Sequence, residues 1–305
     1  LLLYAASPLF NGNSEYYADF KSKLDGRNLI SQTYDEKKWQ RAATAAREAI
    51  DAATAAGYAL YTDPSVSKSK FEMPSDDVQR VLRLNFIDYN NSKEVLWADT
   101  RKEMNYGLQY KSTPYRVGPS SGNGVGVTLS MVEQFYTENG LPIDMDPNYD
   151  YEGRYRTAEY HNDVCDGVTM NLNIGREPRF YAWVAFQNGY YEVMKRNSED
   201  PEAKVVKTQF RKNDEFGIKA RTTNYSPTGY LNKKGCSPLY DNIQENVPAP
   251  HYPWPVIRMA ELYLNLAEAE ANLGNIDSAV EALKPVRKRA GLPSVDAAFA
   301  TAGLT

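Results

Sequence analysis

Apolar residues recur along two stretches of the chain at three- and four-residue steps, the signature of helices with one buried face. The first follows Thr33. Trp39, Ala43, Ala46, Ile50 and Ala53 form an apolar line, and Lys37, Arg41, Thr44, Glu48 and Asp51 take the opposite, wet side. Thr33 and Glu36 have capping-box spacing, and Gly57 supplies a stop just past the last periodic residue. The second is WPVIRMAELYLNLAEAEANLGN, beginning at Trp254. Read as one helix with Pro255 near its start, it carries two apolar stripes. One is Ile257, Ala260, Leu264, Ala267 and Ala271; the other is Met259, Tyr263, Leu266 and Leu273. Arg258, Glu261, Asn265, Glu268 and Asn272 occupy the narrow remainder. Two apolar stripes predict a helix sandwiched between neighbours. Gly274-Asn275 ends it, and Ile276, Ala279, Val280 and Leu283 start a partner, with Pro285 set to kink or shorten that second helix.

The spacing of Tyr263, Ala267, Gly274, Ala279 and Leu283 resembles part of a tetratricopeptide repeat. Between the helical ends, residues 60 to 253 are irregular and dense in Gly, Pro, Asn, Asp and Tyr. Val78 to Phe86 reads as helical, Glu94 to Ala98 as a short strand, Ser130 to Glu138 as a short helix stopped by Gly140, and FYAWVAF (180 to 186) as a buried strand. So long a middle is not a structureless loop. It predicts a loop-rich lobe on a helical frame, and loops of this kind are where ligands usually meet a protein.

Composition refines this picture. With 305 residues, 42% of them hydrophobic, the chain can build a core. Its formal charge of −4 argues against a nucleic-acid surface, which needs clustered cations. No apolar run reaches spanning length. The opening LLLYAASPLF reads as the end of a helix already under way, and FATAGLT gives no clear terminus, so an internal piece of a longer protein is expected. Tyrosine is over-used, 23 against 10 Phe, and its apolar face with a polar tip suits half-wet surfaces.

Several segments together resemble the SusD/RagB family of nutrient-binding outer-membrane lipoproteins. PVIRMAELYLNLAEAEANLGN with VRKRAGLP is similar to the family's helical hairpin and its following segment. FYTENGLPIDMDPNYDY (135 to 151), REPRFYAWVAFQNG (176 to 189, with Glu177 where Asp is commoner), TGYLNKK (228 to 234), LLLYAASPLFNG and the Trp39 helix also fit, in order. The resemblance implies a mainly α fold: tetratricopeptide-like helical hairpins (an alpha-alpha superhelix) supporting a loop-rich lobe with a few short strands. On that basis residues 1–305 form a single, incomplete domain. Residues 1–59 are part of the scaffold, 60–253 the ligand-binding lobe and 254–305 a tetratricopeptide-like hairpin. It also implies a non-enzymatic cell-surface receptor that captures glycans and hands them to a SusC-like TonB-dependent transporter. Its anchor would be an N-terminal lipid that this chain lacks, and no cofactor is expected.

Glycan capture needs aromatic platforms amid polar groups. Trp97, Tyr106, Tyr110 and Tyr115, set among Asp99, Arg101, Asn105 and Gln109, are the first candidates, and Tyr190 and Tyr191 the second. Each ring is either such a platform or a core anchor, and adjacent strand residues face opposite ways, so at most one of the pair is buried. Trp254 reads as a scaffold anchor. No metal site is expected: His161 and Cys165 lie four apart, as on a helix, but lack further ligands. Asp144, Asp146, Asn148 and Asp150 read as a solvated Asx-rich loop. Gly122, Gly124 and Gly126 match no phosphate-binding pattern. Cys165 and Cys236 read as buried or free thiols, a disulfide being the alternative. Two other functions stay open. A glycoside hydrolase would need paired carboxylates, which nothing singles out among 39 acidic residues. A protein-binding helical-repeat scaffold would need a regular repeat throughout, which the middle contradicts.

Overall fold

The computed structural model describes residues 1–63, 74–101, 106–114, 122–193, 205–218, 223–240 and 249–304. Ten α-helices run in the order α1 (Leu2–Ala6), α2 (Ser14–Tyr17), α3 (Lys37–Ala55), α4 (Asp77–Leu84), α5 (Tyr106–Ser112), α6 (Leu129–Glu133), α7 (Pro178–Trp183), α8 (Met259–Asn272), α9 (Ile276–Arg289) and α10 (Val295–Thr301) among the described residues. Eight short strands join them: β1 (Val95–Asp99), β2 (Thr157–Asn162), β3 (Cys165–Met170), β4 (Val184–Ala185), β5 (Tyr190–Glu192), β6 (Val205–Lys207), β7 (Leu231–Asn232) and β8 (Trp254–Arg258). The architecture is therefore mainly helical, with a loop-rich part and few strands. It divides into two compact units, Leu1–Leu60 with Ile257–Val286, and Tyr61–Val256 with Arg287–Thr305.

In the smaller unit, α3 buries the face its periodicity predicts: Trp39, Ala42, Ala43, Ala46 and Ala53 are all buried. Trp39, Ala42 and Ala43 pack with Ala6 of α1 and Ala269 of α8, with Leu3, Leu266 and Leu273 against them. Alanine on both helices permits the close approach. The helix start differs from expectation. Thr33 does not cap it; Asp35 Oδ1 accepts from Lys37 N at 3.0 Å. Asp35 is pinned by Asn11, which takes its N–H at 2.8 Å and donates to its carbonyl at 3.1 Å. That long-range clamp, invisible in the local pattern, overrides the capping box.

The second helical segment also begins later than read. Trp254–Arg258 is a strand and α8 starts at Met259. Pro255 withholds a backbone donor, and the β-branched Val256 and Ile257 favour extended backbone. Arg258 therefore stands on the strand, not on the helix with Glu261. Of the two predicted stripes, Met259, Ala260 and Ala267 are buried, whereas Leu264 is 45% exposed and Ala271 is open. The charge that matters on α8 was not in the predicted polar stripe. Glu270, 2% exposed, pairs with Arg47 of α3 at 2.5 Å and accepts from Asn275 at 2.8 Å. Gly274 turns the chain at φ +75° between α8 and α9. Pro285 lies inside α9 without ending it.

The larger unit holds the irregular middle. FYAWVAF is a helix before it is a strand: Pro178 opens α7, and Val184–Ala185 then pairs with Leu231–Asn232. A short apolar run does not distinguish buried helix from buried strand; Pro at the first helical position decides here. Phe180 is the hub, edge-on to Phe135 at 5.7 Å and stacked on Phe186 at 5.3 Å between ring centroids. β2 and β3 form an antiparallel hairpin from Thr157↔Met170 to Asn162↔Cys165. Asn162 Oδ1 accepts from Val164 N at 3.0 Å and Cys165 N at 3.1 Å, an Asx turn that tightens the bend. The VRKRAGLP segment docks here. Arg287 donates to Pro293 O at 2.9 Å and Gly140 O at 3.2 Å. Arg289 pairs at 2.7 Å with the fully buried Glu94, which also accepts from Tyr61 N at 3.0 Å.

Buried polar groups tie this unit together. Arg83 and Lys233 both reach Glu192, at 3.0 and 2.8 Å. Burial pulls the Lys233 ammonium down to about 8, against the opposing pull of Glu192. Cys165 and Cys236 are free, buried thiols. The acidic loop is less solvated than read: Asp146 is buried and accepts from Thr137 Oγ1 at 2.6 Å and Asn139 Nδ2 at 3.0 Å. Such a carboxylate organises the turn through Gly140.

Candidate functional site

A concavity of about 330 Å³ opens in the larger unit where the loops around the β2–β3 hairpin converge. Tyr155, Met170, Phe210 and Tyr230 give it apolar walls, and Asn173, Gln187, Thr228 and Arg211 stand among them. Tyr155 precedes β2, Met170 ends β3, Asn173 lies in the turn after it, and Tyr230 leads into β7. Five separate stretches of chain thus contribute.

Tyr155 is the ledge. Its ring is 48% exposed. The hydroxyl donates to Glu133 Oε1 at 2.5 Å, and the Arg154 guanidinium lies over the ring at 4.4 Å from its centroid. Arg154 also covers Tyr151 at 3.9 Å and donates to Glu133 at 3.1 Å. Glu133 accepts the Tyr155 proton bond and so sits below its usual carboxylate range, while the same bond holds Tyr155 above the usual phenol range. One face of the ring is covered, its tip is held, and the remaining area is offered to solvent. A ring fixed in this way loses little freedom when something packs on it.

Behind it, the polar groups are mostly spoken for. Tyr230 Oη donates to Asn173 Oδ1 at 3.1 Å, and Asn173 Nδ2 to Thr169 Oγ1 at 2.9 Å. Burial pushes the Tyr230 hydroxyl up, so it stays a donor. Gln187 Oε1 accepts from Phe210 N at 2.7 Å and Nε2 donates to Asp214 Oδ2 at 2.9 Å. Thr228 Oγ1 donates to Tyr230 O at 3.2 Å. These bonds give the walls their shape.

Of the rings predicted from sequence, those among the described residues lie elsewhere. Trp97 on β1 is 62% exposed and stands two residues from Asp99, whose carboxylate Arg101 clamps at 3.0 Å and holds below its ordinary range. Tyr110 on α5 and Tyr190 on β5 are half-buried. Tyr191 is fully buried, its hydroxyl 3.3 Å from Asn232 O, with the Arg83 guanidinium 5.3 Å from its ring centroid. It belongs to the core and not to a ligand surface, within the limit of one buried ring that the alternation of strand faces sets for the pair. Tyr115 and the ring of Tyr106 lie outside the described residues. None of Trp97, Tyr110, Tyr190 and Tyr191 is among the described residues that line the concavity. Tyr155, its principal ring, was missed. The available signal was R-Y-R after the Gly153 turn, an aromatic flanked by cations where a loop enters a strand.

His161 and Cys165 do not share a helix; they lie on the two strands of the hairpin. His161 Nδ1 is 2.6 Å from Asp166, which raises its basicity, and burial pushes the Cys165 thiol up to about 11. A thiol that keeps its proton is a poor ligand. Among the described residues no group of three His, Cys, Asp or Glu side chains could hold a metal ion.

Comparison with known proteins gives a consistent result. The model of the SusD family matches residues 93–303. Among solved structures, BT4246 superposes with a TM-score of 0.77 at 30% identity, over 96% of this chain and 52% of its own. Its selenomethionine form gives 0.76 at 30%, over 96% and 54%. A SusD-like protein (BF3747) from Bacteroides fragilis gives 0.54 at 20%, over 85% and 46%, a likeness of fold. The chain spans about half the length of the solved structures it matches. No curated protein matches its sequence.

Proposed function

The chain belongs to the SusD family, and on that premise we propose that it captures oligo- or polysaccharide at the cell surface without transforming it. The observation that carries this reading is the pinned, half-exposed Tyr155 ring at the rim of a concavity with mixed apolar and polar walls. A sugar ring has an apolar C–H face for such a ledge, and each good ring contact contributes about 1 kcal/mol beyond area burial. A few contacts of that size give micromolar to millimolar binding, weak enough for a receptor that must pass its ligand on. Trp97, more exposed still, is a second platform in this reading. Delivery to a SusC-like TonB-dependent transporter, and lipid anchoring in the outer membrane, complete it.

The test is affinity electrophoresis of the chain through gels containing a panel of polysaccharides, with Tyr155→Ala and Trp97→Ala beside it. Retardation by at least one glycan, weakened by Tyr155→Ala at unchanged melting temperature and without release of reducing sugar, supports capture. Release of reducing sugar in proportion to protein makes the chain a hydrolase instead. Absence of retardation throughout the panel defeats the reading.

A further inference from the structure

We propose that the Tyr155 concavity selects acidic saccharides, those carrying a sugar-ring carboxylate, with Arg211 as the group that receives it. The inference rests on the capture reading and specifies its ligand class. Arg211 is the only formally charged residue among the described lining residues. The chain as a whole carries −4, so the one formal charge of this lining is opposite in sign to the net charge of the chain.

Most neutral lining groups are already engaged, Thr157 being the exception, and a neutral hydroxyl does not favour a charged rim. Asn173, Gln187, Thr228 and Tyr230 spend hydrogen bonds on one another, on the backbone, or on the side chains of Thr169 and Asp214. The Arg211 guanidinium makes one long contact, Nη2 to Val168 O at 3.4 Å. Its backbone N–H, not its side chain, is engaged by Asp214, at 3.1 Å, and that carboxylate also takes the Gln187 amide at 2.9 Å. Asp214 is thus held by amides and is not among the lining residues, while the guanidinium fork remains available at the rim. A planar fork of N–H donors matches a carboxylate in two-point contact. Packing of the ring on Tyr155 and two-point contact at Arg211 together suit a flat sugar with a carboxylate on its edge, a uronic acid residue. Because Arg211 is exposed, the charge contact is screened, and salt weakens it.

The experiment is isothermal titration with matched probes: oligosaccharides cut from galacturonan, glucuronan and alginate, and the same oligosaccharides after chemical reduction of every carboxyl group to an alcohol. At low salt at least one acidic oligomer is expected to bind about two- to fivefold more tightly than its reduced form, the range of one exposed ion pair, and salt erases that difference. Arg211→Gln abolishes the difference and leaves the reduced form's affinity unchanged. Arg211→Lys restores part of it. Tyr155→Ala weakens both forms. Equal binding of acidic and reduced forms, or loss of both with Arg211→Gln, overturns the acidic preference while capture stands. Retention of neutral glycans alone overturns it equally, and binding of an acidic peptide but no acidic oligosaccharide overturns it in favour of a peptide ligand. If neither glycans nor peptides bind, the capture reading itself fails.

Discussion

Replacing Arg176 with methionine tests whether hydrogen bonds, rather than apolar packing alone, hold the larger unit together. Arg176 is 2% exposed. Its guanidinium donates to four carbonyls: Leu172 at 2.6 Å, Val132 at 2.8 Å, Phe135 at 2.5 Å and Tyr136 at 3.3 Å. Val132 and Phe135 flank the C-terminus of α6, where helical carbonyls run out of intrahelical donors. Val132 O keeps Phe135 N at 3.3 Å, and Tyr136 O keeps Glu177 N at 3.0 Å. Arg176→Met therefore falls hardest on the carbonyls of Phe135 and Leu172. Stranding a buried acceptor costs about 1–3 kcal/mol, so two cost about 2–6. The offset is relief of a buried cation, whose pKa burial already lowers. The net expectation is a loss of about 2–4 kcal/mol. Lysine keeps the charge but lacks the fork, and Arg176→Lys should fall between.

The assay is urea unfolding followed by tryptophan fluorescence. Trp97, Trp183 and Trp254 lie in the same unit as Arg176 and Trp39 in the other, so a shift confined to the main part of the signal locates the effect. Arg176→Met within about 0.5 kcal/mol of the parent, the ordinary range of a surface change, would refute the reasoning. It would mean that methionine packing fully replaces the donors.

Three further outcomes are expected. Lys233 has a folded pKa near 8, below its ordinary value of 10.5; its cost to folding is fully present below pH 8 and is relieved as pH rises toward 10.5. The stability difference between the parent and Lys233→Met should therefore shift in the parent's favour from pH 8 to 10, by up to about 1.4 kcal/mol per pH unit, as read by denaturant midpoints across that range. Arg47→Ala leaves Glu270 buried with Asn275 alone; since Arg47 is itself half exposed, the expected loss is about 1–2 kcal/mol, measured by urea unfolding and largely recovered by Glu270→Gln in the same background. Gly140 adopts φ +72°, and a Cβ there would lie 2.6 Å from Arg287 Nη2; Gly140→Ala should cost about 1–3 kcal/mol, and a melting temperature unchanged within a degree would exclude that crowding.

What the sequence reveals depends on how far each signal reaches along the chain. The Trp39 face is legible because one helix carries the whole pattern. The α8–α9 turn is legible because Gly274 marks it locally. Thr33 and Glu36 mislead because Asn11 claims Asp35 from 24 positions away. Glu270 is missed because its partner stands on α3 and gives α8 no periodic mark. The proposed ligand surface suffers most. Tyr155 is a ledge through Glu133, 22 positions upstream; its flanking arginines are the one local mark that separates it from Tyr191, which the core absorbs.

Within the larger unit, the concavity and the elements behind it are one network, which bears on how the concavity keeps its shape. The segment from Asn171 to Arg176 turns on bonds at both ends. Arg176 fastens it to α6, while Asn173 receives the Tyr230 hydroxyl that forms the back wall. Tyr181 Oη closes the loop, accepting from Arg176 N at 3.1 Å and donating to Asn173 O at 3.1 Å. α6 in turn carries Glu133, which fixes Tyr155. The ledge and the back wall therefore hang from the same arginine by two routes. A lobe short of long helices and strands cannot rely on repeated backbone ladders for rigidity. Here buried side-chain donors do that work, and because a partly satisfied network is costly, the concavity is held in one form before any ligand arrives.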